Sequence, residues 1–132
     1  MTKRFLNVLA VASVVAVLSP LFVPIQAAEV KCAIPFTFTV NGTTLPAGTY
    51  TLSVENNAMV LRSISRTTIV LSNRMESLTD KDVKAVFLKV GKQYILREVW
   101  MGAGYGRELP KAKNIEKLAA NTPVKRVVIY AM

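Results

Sequence analysis

Short stretches in which apolar and polar residues alternate, separated every few positions by turn residues, leave this chain little choice but a β-sheet fold. In Ile34-Pro35-Phe36-Thr37-Phe38-Thr39-Val40 the period of two places Ile34, Phe36, Phe38 and Val40 on one face of a strand. Pro35 lacks a backbone donor and belongs near the start of that strand or on an outer edge. Asn41-Gly42 and Leu45-Pro46-Ala47-Gly48 read as turns, and Thr49 to Val54 resumes the alternation with Tyr50, Leu52 and Val54 inward.

After Glu55-Asn56-Asn57, the runs Ala58 to Ser63 and Thr67 to Ser72 form a predicted hairpin rich in β-favouring residues. Asn73 to Asp82 is polar and reads as a surface loop. Val83 to Val90 and Gln93 to Trp100 flank Gly91-Lys92, the two-residue spacing of a tight hairpin. Met101 to Gly106 reads as a loop. Pro110 stands at a helix start, with Ile115, Leu118 and Ala119 at helical spacing across Lys111 to Ala120. Val124 to Ala131 is a last apolar strand, expected inside the sheet because an exposed apolar edge invites aggregation. The expectation is an all-β fold: a small antiparallel sandwich or barrel of about seven strands, with one short helix near the C-terminus.

The first residues obey a different grammar. Lys3 and Arg4 precede an apolar run from Phe5 to Leu18, and Ser19-Pro20 breaks it. Small residues follow at Ala27-Ala28, the order of a secretory signal peptide. Ile25 and Ala27 fit the two peptidase specificity positions, giving cleavage before Ala28, with cleavage after Ala28 as the competitor. An uncleaved anchor is disfavoured by Ser19, Pro20 and Pro24. Lipidation at Cys32 is disfavoured by the charged Glu29-Val30-Lys31 before it. The expected organisation is residues 1–27 as signal peptide and residues 28–132 as a single β-domain.

Removing 27 of 132 residues leaves 105, enough for one modest core. One cysteine excludes an intramolecular disulfide, and the absence of histidine removes the commonest metal ligand and general base. The chain carries 17 basic and 8 acidic residues, a net +9 that falls to +7 without Lys3 and Arg4. Such a field favours anionic polymers or lipid head groups of the envelope. Lys111, Lys113 and Lys117 on the solvent side of the expected helix are the candidate contact. Nucleic acid is a poor fit for an exported chain with so few aromatics among its basic residues. No apolar stretch after the leader approaches membrane-spanning length.

Chemical motifs are scarce. Gly102-Ala103-Gly104-Tyr105-Gly106 lacks the spacing of a dinucleotide fingerprint, and Arg107-Glu108 follows where a Walker loop needs Lys and Ser or Thr. Glu76, Asp80 and Asp82 lack the ligand spacing and glycine of a calcium hand. Cys32 has Lys31 beside it but no histidine to activate it. Asn41-Gly42-Thr43 fits a glycosylation acceptor and is already explained as a turn. Trp100, with Tyr94 and Tyr105, is a candidate sugar-stacking platform, set against the commoner role of strand-end aromatics in a core.

Ile34-Pro35-Phe36-Thr37-Phe38 with Val40-Asn41-Gly42, Leu45-Pro46-Ala47-Gly48-Thr49-Tyr50, Glu98-Val99-Trp100 and Gly106-Arg107-Glu108-Leu109-Pro110-Lys111 together resemble a family of short exported bacterial proteins of unassigned function. The likeness implies secretion and a compact β-rich fold, and brings no activity, cofactor or catalytic residue. The segment Leu45 to Tyr50 alone is similar to the turn-and-strand opening of many extracellular β-sandwich modules, prealbumin-like ones included. The expectation is an exported, non-enzymatic β-domain without cofactor, located in the periplasm, at the cell surface or in the medium. It would act by binding or as an envelope component. The alternatives are a carbohydrate-binding module, or an enzyme whose site assembles from distant loops.

Overall fold

The structure is a computed structural model that describes residues 29–111, 116–117 and 120–132. Among these residues eleven strands form two sheets. The first contains β1 (Glu29–Ile34), β4 (Gly48–Glu55), β5 (Ala58–Arg62) and β6 (Thr67–Leu71), in that spatial order. The second runs β11 (Val124–Tyr130), β8 (Val83–Val90), β9 (Gln93–Gly102), β10 (Tyr105–Glu108), β7 (Asn73–Glu76). The hairpin of β2 (Phe38–Val40) and β3 (Thr43–Leu45) joins the second sheet through one parallel bridge, Thr39 to Ile95. Every other pairing is antiparallel. No helix among the described residues is long and apolar enough to cross a membrane.

The sheets pack face to face through the residues that the period of two turns inward. Val30, Cys32, Ile34, Tyr50, Leu52, Met59, Leu61 and Val70 come from the first sheet; Phe38, Val40, Leu45, Ala85, Phe87, Leu96 and Val99 come from the second. Phe38 sits at the centre, edge-on to Tyr50 at 5.2 Å and to Phe87 at 5.4 Å. Burying each such side chain is worth about 1.5–3 kcal/mol. The Tyr50 hydroxyl keeps a partner by donating to the Pro46 carbonyl at 2.6 Å. Val86, Val90 and Ile95, on the opposite face of the second sheet, are buried as well. Burial on both faces accounts for the nearly unbroken apolar run Ala85-Val86-Phe87-Leu88.

Several elements differ from the sequence expectation. The predicted strand Ile34 to Val40 is two strands in different sheets. The chain turns from β1 to β2 across Pro35-Phe36-Thr37, where proline cannot donate to a ladder. Phe36 fills that corner, stacked on Tyr94 at 3.8 Å and edge-on to Phe87 at 4.9 Å. The sheets remain open rather than closing into a barrel. Among the described residues the strands number eleven rather than about seven, because that first predicted strand is divided in two and because β3, β7 and β10 occupy segments read as turns or loops. Long-range pairing gives those polar segments their strand geometry: Asn73 to Glu76 opposes Glu108 to Tyr105, residue for residue.

β11 lies on an edge, where an internal position was expected. Among the described residues only β8 pairs with it. Lys125 and Arg126 charge this edge, a usual guard against further pairing. Its end is tied within the sheet by Ala131 N–H donating to the Val83 carbonyl at 3.0 Å, and across the sandwich by Met132 N–H donating to that of Lys31 at 2.8 Å. The expected helix over Lys111 to Ala120 lies largely outside the described residues, as does the expected signal segment.

Candidate cationic cleft

At one margin of the sandwich the chain leaves the first sheet through β6 and enters the second as β7, with Ser72 at the corner. β10 pairs with β7 there, setting Arg107 opposite Arg74 and Tyr105 opposite Glu76. Arg107 is also opposite Val99 of β9, a core residue, so it points to the inner side of its sheet. The inner surface of the second sheet thus turns from apolar to cationic at its outermost strands. A cleft of about 570 Å³ opens at this point, floored by Ser72 and Arg107 and rimmed by Arg74, Tyr105, Asn73 and the β4–β5 turn residues Asn56 and Asn57. That volume falls within the ordinary range of ligand sites, roughly 300–1,000 Å³.

Arg107 is only 5% exposed. Its Nε donates to the Ser72 hydroxyl at 2.9 Å and its Nη2 to the Ser72 carbonyl at 3.1 Å. Ser72 is itself anchored, because its N–H donates to the Asn57 carbonyl at 2.9 Å and its hydroxyl to the same oxygen at 3.3 Å. Among the described residues no carboxylate forms an ion pair with Arg107, and its Nη1 has no hydrogen-bond partner. Burying a guanidinium without a counter-charge is costly. The other buried cations among the described residues have carboxylates: Arg97 has Glu108, and Lys84 has Asp80.

Arg74 lies over the Tyr105 ring, with Cζ 4.7 Å from the ring centroid, and pairs with Glu76 at 2.9 Å. The stacking and the ion pair together hold an otherwise flexible exposed side chain beside the cleft. The side-chain amides of Asn56, Asn57 and Asn73 have no hydrogen bond among the described residues and are open to solvent. Asn56 has a positive φ of 57°, a conformation that asparagine tolerates better than most residues, and this makes the tight turn that brings Asn57 to Ser72.

Of the residues singled out from the sequence, Tyr105 lines this cleft, and the other described ones lie elsewhere. Trp100 is 7% exposed on the opposite face of the second sheet; its Nε1 donates to Glu98 at 2.8 Å. Gly106 presses against the indole, leaving so little room that a Cβ there would stand 2.7 Å from Cε3. Tyr94 is stacked on Phe36 and Tyr105 lies under Arg74, so the three aromatics form no common platform. Lys111 and Lys117 are exposed. Lys113, Ala27 and Ala28 lie outside the described residues.

Asp80 pairs with Lys84, which pulls its carboxyl below the ordinary value of 3.8 through that hydrogen bond first. Among the described residues no three of Cys, Asp and Glu come together as a metal-binding group. Cys32 is fully buried, and burial raises its thiol pKa.

Sequence reasoning missed the cleft because Asn73 to Asp82 reads as a loop and Arg107 as one charge of a basic segment. The available signal was the alternation Tyr105-Gly106-Arg107-Glu108, which marks a strand with Arg107 and Tyr105 on one face. Comparison of the chain with family models, with curated proteins and with solved structures finds no match.

Proposed function

We propose that this chain is an exported, non-enzymatic binding domain that holds an anionic group of an envelope ligand in the Arg107 cleft. The observation that supports it is Arg107, 5% exposed, fixed by two hydrogen bonds to Ser72 and without a carboxylate partner among the described residues. A charge held in that way is stabilised by a ligand that brings the missing counter-charge. The net charge of +7 that remains without Lys3 and Arg4 raises the local concentration of anionic partners, and the exposed Lys111 and Lys117 contribute to that field.

Two measurements test this reading. Intact mass of the protein recovered from the medium or periplasm reports export, and a chain beginning at Ala28 is expected; retention of residues 1–27 would refute it. Titration of the exported protein with acetate and with inorganic phosphate, followed by NMR, is expected to move the Arg107 side-chain signals and the amides of Ser72, Asn73 and Arg74 ahead of all others. Shifts spread evenly over the surface, or none at low salt, would refute a defined anion site.

A further inference from the structure

We infer that the anion held in the cleft is the carboxylate of an acidic sugar, one unit of a carboxylated envelope polysaccharide; this rests on the binding role proposed above. Charge complementarity comes first. Arg107 and Arg74 bring two positive charges to the cleft, and Glu76, 2.9 Å from Arg74, offsets one. One uncompensated positive charge remains, which matches a monoanion and undercompensates a phosphate monoester carrying close to two negative charges.

Donor geometry agrees. An arginine that grips phosphate or carboxylate as a fork uses two parallel N–H groups. In Arg107 one edge, Nε–H with one Nη2–H, is turned onto Ser72, which leaves the end-on pair, Nη1–H with the second Nη2–H, for the ligand. That pair matches the two oxygens of one carboxylate. Arg74, held on Tyr105, adds its charge from the rim.

What surrounds this charge decides the rest of the ligand. Asn56, Asn57 and Asn73 carry side-chain amides with free donors and acceptors, the complement of hydroxyl groups that both give and accept hydrogen bonds. The lining holds one aliphatic side chain, Leu71, and a single ring whose face Arg74 already covers. A hydrocarbon tail finds little more than Leu71 to pack against. A ligand with one carboxylate set among several hydroxyls complements the charged and amide groups that line the cleft, and a uronic acid is such a ligand. The open side of the cleft would let a polymer run through it.

The test uses the exported protein and titration calorimetry with trigalacturonate, its methyl ester, maltotriose, acetate, inorganic phosphate and phosphatidylglycerol vesicles. Trigalacturonate is expected to bind at least tenfold more tightly than acetate or phosphate, while the ester and maltotriose lose that advantage. Arg107→Gln should weaken trigalacturonate binding by about tenfold or more, the usual loss for a charge-assisted bond. Because that residue is buried, Arg74→Gln and Asn73→Ala, both at exposed positions, serve as variants that keep the fold, each with an expected loss of about threefold to tenfold. If acetate or phosphate binds the cleft as well as trigalacturonate, the sugar assignment is wrong and the anion site stands. Binding to vesicles alone would overturn the sugar assignment in favour of a lipid head group. If nothing binds, or folded Arg107→Gln binds as the wild type does, both readings fall.

Discussion

Arg107 and Ser72, 35 positions apart in the chain, meet through two hydrogen bonds: Nε to the hydroxyl at 2.9 Å and Nη2 to the carbonyl at 3.1 Å. The contact ties β10 to the corner where the chain passes from one sheet to the other. Ser72→Ala removes the hydroxyl acceptor and leaves the buried Nε unsatisfied. It should lower the unfolding free energy by about 1–3 kcal/mol, read as a shift of the urea midpoint. A variant as stable as the wild type would mean that the corner is held by backbone contacts alone.

Gly104 and Gly42 separate backbone strain from steric conflict. Both have positive φ, +76° and +81°. A Cβ at Gly42 meets nothing within 4 Å, whereas one at Gly104 would stand 2.2 Å from the Ser77 carbonyl oxygen. Gly42→Ala should cost only the backbone term, about 1–2 kcal/mol. Gly104→Ala should cost clearly more, and the Ser77 N–H bond to the Gly104 carbonyl, 2.8 Å long, should open with it. Thermal melting of the two variants together with hydrogen exchange at Ser77 checks the pair; equal losses would contradict the steric argument.

Asp80 and the buried Lys84 make a pH-dependent contribution. The hydrogen bond to Lys84 is the chief cause that holds the Asp80 carboxyl below its ordinary pKa. A lowered carboxylate pKa contributes stability that is fully present above the unfolded value and is lost as pH falls through the folded value. Asp80→Asn should therefore be less stable than the wild type at neutral pH. The two should converge in acid, once the wild-type carboxyl is protonated. A difference that persists unchanged at the lowest pH would rule out the titration of Asp80 as its source.

Cys32 lies in β1 among core residues and is 0% exposed, and burial raises its thiol pKa. The native thiol should resist alkylation by iodoacetamide at pH 8 and react promptly in denaturant. The protein should also stay free of disulfide-linked dimers under oxidising conditions, as non-reducing electrophoresis would show. Rapid alkylation of the folded protein would place the thiol at the surface.

The sequence by itself determined the all-β class and most of the hairpins, because a period of two is a property of neighbouring residues. Tyr50, Leu52 and Val54, the Gly91-Lys92 turn and the split of Asn41-Gly42 from its flanking strands can all be read within a few positions. Tertiary structure alone decided which strands share a sheet, and with it the cleft. Pro35 to Thr37 interrupts a pattern that looks continuous, since a ladder lost to proline matters only once the partner strands are known. Asn73 to Glu76 has too few apolar residues to announce a strand, and becomes one because β10 offers it a complete row of partners. Arg107 is indistinguishable from other basic residues until β9 places it on the inner side and the corner at Ser72 comes within reach. Hydrogen bonds between distant segments, and the burial of a charge that follows from them, arise from closing loops dozens of residues long, and no local window of sequence records them.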